Sequence, residues 1–279
     1  MSTEEHDVQF ALIEEKALLA RVYHNPDTAL GQAIVSVHGG AWSKNDRTTA
    51  HVLDRGLAQF GLTVFALDFR QGPEHKFPAA TQDITAGIRF VRANAAKFGI
   101  DADRIGIVGS SSGGQSVLLT SLCCGAPMLE GTKIMDANGS AIDARGISAH
   151  VAYAAALWPV SNPMYRYHYA QQVGRDDLLD GHHAYFSSAA QMSQASIQRL
   201  LNEGETTAAP PLWIVQPGAD DNVPQAMTLD LLHALQARGV AFEYMFYPNE
   251  PHAITREDTP SAARCIADAT TFIARQLKR

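Results

Sequence analysis

The chain is poor in cysteine and in charge, and it has no long apolar run. Its three cysteines in 279 residues are Cys123, Cys124 and Cys265, an odd number with one adjacent pair. That excludes a disulfide framework. The adjacent pair follows Val117-Leu118-Leu119, a setting in which cysteine behaves as a small buried hydrophobe. Charged residues make up 18% of the chain, with 22 basic and 29 acidic side chains and a formal net charge of −7. The basic residues are scattered and form no Lys/Arg run. This argues against nucleic acid or an anionic membrane surface as a partner. No uninterrupted apolar stretch is long enough to span a bilayer. The start, Met1-Ser2-Thr3-Glu4-Glu5, lacks the basic patch and apolar segment of a signal peptide. The expectation is therefore a soluble cytoplasmic protein. There is no H-E-x-x-H, no paired-cysteine motif and no G-x-G-x-x-G after a strand, so neither a metal nor a cofactor is expected.

What is present is apolar and regularly patterned. Hydrophobic residues are 46% of the chain, enough for a sizeable core without disordered stretches. Short strand-like runs occur at Leu18–Val22, Ala33–Val37, Leu62–Leu67, Ile105–Val108, Val151–Leu157, Leu212–Val215 and Phe242–Tyr247. Val8–Tyr23 suggests an N-terminal β meander. Helical patterns lie between the runs. Thr48–Gln59 is one, and another follows Pro78, with Ile84, Ile88 and Val91 at helical spacing. Pro224 opens and Gly239 closes a later helix, and Thr259-Pro260 reads as the N-cap and first turn of the last. Strands alternating with helices predict an α/β fold, a mostly parallel central sheet with helices on both faces. A single domain over residues 1–279 is expected. Two stretches break the rhythm, Gly125–Gly146 and Ser161–Pro210. The second, at about 161–210, is too long for a simple connection and reads as a lid insertion. His182 and His183 within it read as lid surface rather than metal ligands. A homo-oligomer stays compatible with all of this.

Four segments carry chemistry. Gly109-Ser110-Ser111-Ser112-Gly113 matches G-x-S-x-G, follows a strand and opens a helix. Small residues around Ser111 permit a tight strand-to-helix turn that throws the hydroxyl above the sheet. The helix N-terminus beneath favours developing negative charge. No lysine follows these glycines, so the P-loop pattern fails. His38-Gly39-Gly40-Ala41-Trp42 follows the strand ending at Val37. Consecutive glycines there leave N–H groups free for an oxyanion, with the Ser112 N–H as partner donor. His38 itself reads as structural. Asp220 and Asp221 follow the strand ending at Val215, and His252 follows the strand ending at Tyr247. Loops at the carboxyl ends of parallel strands share one edge of the sheet, so a serine, an acid and a histidine can meet there in the order Ser, Asp, His.

On these segments, and on Gly72-Pro73-Glu74-His75-Lys76-Phe77-Pro78-Ala79-Ala80, the chain resembles the α/β-hydrolase esterases near the hormone-sensitive-lipase group. It also resembles their deacetylase/feruloyl-esterase-like and arylformamidase-like branch. The resemblance runs over nearly the whole chain. It implies Asp220, three residues before the valine of Val223-Pro224, as the acid, with Asp221 as the adjacent alternative. It implies Gly40 and Ala41, with Ser112, as oxyanion-hole donors. Ala41 stands where a third glycine is usual, and long N-terminal cap helices are missing, which favours the smaller branch. The expected activity is hydrolysis of short-chain or aryl carboxylic esters through Ser111, His252 and Asp220 and an acyl-enzyme. A small-molecule ester is the partner, and Trp42 and Trp158 are the expected pocket walls. The alternatives are an amidase of arylformamidase type and a non-catalytic ligand-binding hydrolase fold.

Overall fold

A computed structural model describes residues 3–278. Ten strands form one sheet: β1 (Glu4–Ile13), β2 (Lys16–His24), β3 (Gln32–Val37), β4 (Leu62–Leu67), β5 (Ile105–Ser110), β6 (Ile134–Met135), β7 (Ala141–Ile142), β8 (Ala154–Leu157), β9 (Leu212–Pro217) and β10 (Phe242–Tyr247). Their order is β10-β9-β8-β5-β3-β4-β2-β1-β6-β7. The six strands from β10 to β4 are parallel, and β2 and β1 join as an antiparallel hairpin.

Five of the parallel strands are buried on both faces, while β10, at the sheet edge, leaves Tyr244 and Phe246 exposed; the side chains of the buried strands alternate between two cores as strand geometry requires. On β3, Ala33, Val35 and Val37 enter one core and Ile34 the other; on β9, Leu212 and Ile214 oppose Trp213 and Val215. One core is covered by α1 (His51–Phe60) and the last helix of the chain, which Pro260–Leu277 forms. The other is covered by α2 (Ala79–Ala93), followed by the single turn α3 (Ala95–Phe98), and by α4 (Ser112–Leu122). All eleven residues of α4 are buried, so its glycines are packing requirements.

The Ser161–Pro210 stretch holds four short helices, α5 (Pro163–Val173), α6 (Asp176–Tyr185), α7 (Ala189–Gln194) and α8 (Ile197–Glu203). Asn162, Ser188 and Ser196 cap three of them through side-chain oxygens that accept from backbone N–H groups. After β9 come α9 (Gln225–Ala237) and, beyond β10, α10 (Pro260–Leu277), whose Thr259 cap accepts from the Ala262 N–H at 3.1 Å. The expected strand Val151–Leu157 is shorter, because regular pairing begins at Ala154. Gly125–Gly146 contains the β6–β7 hairpin, which lengthens the sheet by pairing Ile134 with Ala11. Among the described residues, no helix is long and apolar enough to cross a membrane.

Candidate active site

β5 delivers Ser111 at the tightest turn of the chain. Ser111 has φ 56° and ψ −121°, a left-handed conformation rare for a residue with a Cβ. Such a residue costs on the order of 1–3 kcal/mol and persists only where its surroundings hold it. Here the Ser111 N–H donates to the Leu157 carbonyl at 2.9 Å, and its carbonyl accepts from Val160 N–H at 3.1 Å. The flanking glycines follow from close approach. A Cβ on Gly109 would lie 2.8 Å from the Gly113 carbonyl oxygen, and one on Gly113 would collide with the Val37 and His38 carbonyls.

His252 and Asp220 come from the loops after β10 and β9. Those loops are clasped together: Ala219 N–H donates to the Glu250 carbonyl at 2.9 Å, and Gly218 lies against the Pro248 backbone, with no room for a side chain. His252 Nε2 stands 3.1 Å from Ser111 Oγ. Its Nδ1 stands 2.9 and 3.0 Å from the two Asp220 oxygens. An ionised carboxylate only accepts, so Nδ1 carries the proton and Nε2 is left to accept one. Asp220 Oδ1 also accepts from Asn222 and Val223 N–H, each at 2.8 Å, and its side chain is fully buried. Asp221 turns outward, 77% exposed, and pairs with Arg175 at 3.0 Å.

The loop after β3 carries Gly40 and Ala41. Gly40 has φ 122°, and Ala41 and Trp42 follow at 52° and 58°. Trp42 N–H donates to Ser112 Oγ at 3.3 Å, which ties this loop to the start of α4. Among the described residues, the Gly40 and Ala41 N–H groups have no acceptor. The Ser112 N–H belongs to the first turn of α4, where no intrahelical acceptor exists. Gly40, Ala41, Ser111 and His252 border one cavity of about 350 Å³. His38 lies beside it, buried and stacked on Phe69 at 4.3 Å, and burial holds its imidazole below the usual range.

Of the two expected tryptophan walls, Trp158 lines the cavity, its ring edge-on to that of His252 at 6.2 Å. Trp42 does not. It is a core side chain behind the loop that follows β3, with its indole N–H donating to Gln115 Oε1 at 3.1 Å and its ring stacked on Tyr185 at 5.5 Å. Its position after a strand pointed at the rim, but the left-handed backbone at Ala41 and Trp42 coincides with a ring buried among Gln115, Tyr185 and Phe186. His182 is likewise no surface residue. It is buried among Trp42, Tyr167 and Phe186, and burial pushes its imidazole down to about 3. His183, one position on, is exposed. The α6 helix thus braces the loop that follows β3, with Gly181 flat against Ala41. Sequence reasoning also missed Arg166, a buried guanidinium on α5 that lines the cavity. Its only signal was a lone basic residue between Tyr165 and Tyr167.

The BD-FAE family model matches residues 22–235. Curated relatives include an arylesterase of Saccharolobus solfataricus, 36% identical over 39% of this chain and 36% of that protein. Esterase LipC of Mycobacterium tuberculosis is 27% identical over 80% of this chain and 53% of its own length. An ethyl acetate hydrolase of Pseudomonas putida is 26% identical over 90% of this chain and 75% of its own. The chain thus spans about half the length of LipC, or less in the case of the arylesterase. Among solved structures, an esterase of Pyrobaculum calidifontis superposes with a TM-score of 0.75 at 24% identity, over 97% of this chain and 85% of that one. The likeness in architecture identifies the α/β-hydrolase fold. With the family model covering most of its length, this chain belongs to the BD-FAE family.

Proposed function

We propose that the chain is a serine hydrolase of carboxylic esters, with Ser111 as nucleophile, His252 as base and Asp220 as the group that orients it. The observation that carries this reading is the unbroken relay from Ser111 Oγ through both ring nitrogens of His252 to a buried carboxylate. The curated relatives named as esterases support the same class of reaction.

As Ser111 Oγ attacks the acyl carbonyl carbon, its proton passes to His252 Nε2. Asp220 stabilises the imidazolium that results and remains ionised itself. The carbonyl oxygen becomes an oxyanion facing the N–H groups of Gly40, Ala41 and Ser112. Each such donor is worth about 2.7–4 kcal/mol of transition-state stabilisation. Collapse of the tetrahedral intermediate breaks the bond to the alcohol oxygen, which takes the proton from Nε2. Water then repeats the sequence on the acyl-enzyme, releasing the acid and restoring Ser111. Trp158 forms a wall of the acyl or alcohol site. We read the chain as one domain in which helices α5–α8 act as the lid over this cavity.

The test is Ser111→Ala assayed on 4-nitrophenyl acetate, with mass-spectrometric location of a fluorophosphonate label. The expected loss in kcat is on the order of 10⁶, as in triad enzymes where the serine acts with its histidine as a unit. Undiminished turnover, or a label on another residue, refutes the assignment.

A further inference from the structure

Arg166 is the side chain in this cavity that the reaction leaves unexplained. It is 1% exposed, yet it makes no ion pair among the described residues, and its Nε has no acceptor. Two carboxylates are close enough to act on its charge, and both are engaged elsewhere. Asp177 is held by Arg175 at 2.8 and 2.9 Å. Asp220 is held by His252 and two backbone N–H groups. Burial lowers the guanidinium pKa to about 10, which leaves it charged at neutral pH.

The other buried arginine of the described residues looks different: Arg89 sets both terminal nitrogens on the Glu130 carboxylate at 2.5 and 2.6 Å. The half-buried Arg70 likewise spends its N–H groups on Asp83, Gln82 and Thr132, and Arg92 on the carbonyls of Ala102 and His150. An unpaired buried charge costs several kcal/mol of folding free energy, so its retention calls for a compensating ligand. Two more cations, Lys44 and Arg256, line the same cavity and form no ion pair among the described residues. The remaining carboxylate on the wall is Asp177, already neutralised by Arg175. An excess of positive charge thus gathers at one cavity of a chain whose net charge is −7.

We propose that the Ser111 cavity selects esters bearing a second, free carboxylate, and that Arg166 is the specificity-determining residue that binds it. This rests on the esterase reading given above. The planar guanidinium presents paired N–H donors that match a carboxylate, and the pair forms where water is largely excluded. A neutral amide of the same shape offers the guanidinium a single acceptor and no charge, so the site discriminates through the buried charge left uncompensated. Lys44 and Arg256, both exposed, raise the local concentration of the anion at the mouth.

Two matched pairs test this, one with the charge on the alcohol side and one on the acyl side. They are 4-acetoxybenzoate against 4-acetoxybenzamide, and monoethyl adipate against ethyl adipamate. In the wild-type chain kcat/KM is expected to favour the carboxylate at least about tenfold in one pair, toward the low end of what leaving one buried group unsatisfied costs. Arg166→Met is expected to bring that ratio below about threefold, roughly the loss of one such contact. Should Arg166→Met fail to fold, Arg166→Gln carries the same comparison, and the wild-type ratios need no variant. Binding of the same four compounds to Ser111→Ala by calorimetry reads the preference without turnover. Equal or inverted ratios in both pairs overturn the proposal, as does a preference that survives loss of the guanidinium. Turnover of all four esters without discrimination sinks this inference and leaves the esterase reading standing. Selective binding with no turnover of any ester does the reverse.

Discussion

Two adjacent aspartates follow β9, and substituting each by asparagine tests the proposal that Asp220, and not Asp221, orients His252. Asp220→Asn keeps the shape of the side chain. Its remaining oxygen can still accept from Asn222 and Val223 N–H, both at 2.8 Å in the wild type. The new amide N–H₂ then faces His252 Nδ1 across the present 2.9 Å contact. Two donors cannot share that contact, and Oδ1, 3.0 Å from Nδ1, is already taken by the two backbone N–H groups, so Nδ1 becomes the acceptor and the ring proton moves to Nε2. Nε2 then points an N–H at Ser111 Oγ, 3.1 Å away, and has no lone pair to take the serine proton. In a Ser-His-Asp triad this tautomer error costs about 10⁴ in kcat, or about 5.4 kcal/mol of barrier. Asp221→Asn breaks a pair with Arg175 in which the carboxylate is 77% exposed. Exposed pairs contribute about 0–1 kcal/mol, so activity should stay within about twofold. The assay is the initial rate on 4-nitrophenyl acetate at pH 8, with thermal unfolding as a check that both variants fold. If Asp220→Asn keeps a tenth of wild-type kcat, or Asp221→Asn loses as much as its neighbour, the assignment is wrong.

Two further outcomes concern buried titratable groups outside the relay. His182 is pushed down to about 3 by burial, so between about pH 6.5 and 3 the unfolded chain takes a proton that the folded chain refuses, and stability falls as pH falls. At pH 5 the penalty is about 2 kcal/mol. His182→Phe should flatten the unfolding temperature between pH 7 and 5, and parallel curves for the two proteins would refute the burial argument. Asp54 on α1 has the opposite sign: it is fully buried, and burial outweighs the Ser36 hydroxyl beside it and raises its carboxyl to about 7. The folded chain holds a proton that the unfolded chain releases above 3.8, so stability is lost as pH rises from there to about 7. Asp54→Asn should therefore be more stable than wild type at pH 8, by about 4 kcal/mol at most, with the difference shrinking toward pH 4. Denaturant melts at both pH values measure this, and a pH-independent difference would count against it.

The alternation of strands and helices was legible because it depends on neighbours a few residues apart. Buried parallel strands must be short apolar runs, and the turns between them need particular residues at particular places. The serine turn was legible for the same reason: Gly109 and Gly113 are each excluded from carrying a Cβ by backbone only a few residues away or on the next strand. The β6–β7 hairpin was not legible, since its strands are two residues long and exist by virtue of the sheet edge that Ala11 offers. Nor were the four helices of the 161–210 stretch, whose apolar residues answer to the core of the rest of the molecule.

By itself the sequence determined the class of fold and the loops on which Ser111, Asp220, Asp221 and His252 stand. Only the tertiary structure turned Asp220 inward to His252 and two N–H groups and Asp221 outward to Arg175. It alone drew Trp42 behind the loop that follows β3, buried His182, and set Arg166 uncompensated on the wall of the Ser111 cavity. The physical reason is that spacing along a chain encodes local geometry, whereas desolvation and charge compensation are properties of whatever distant segments close over a group. No window of sequence contains them.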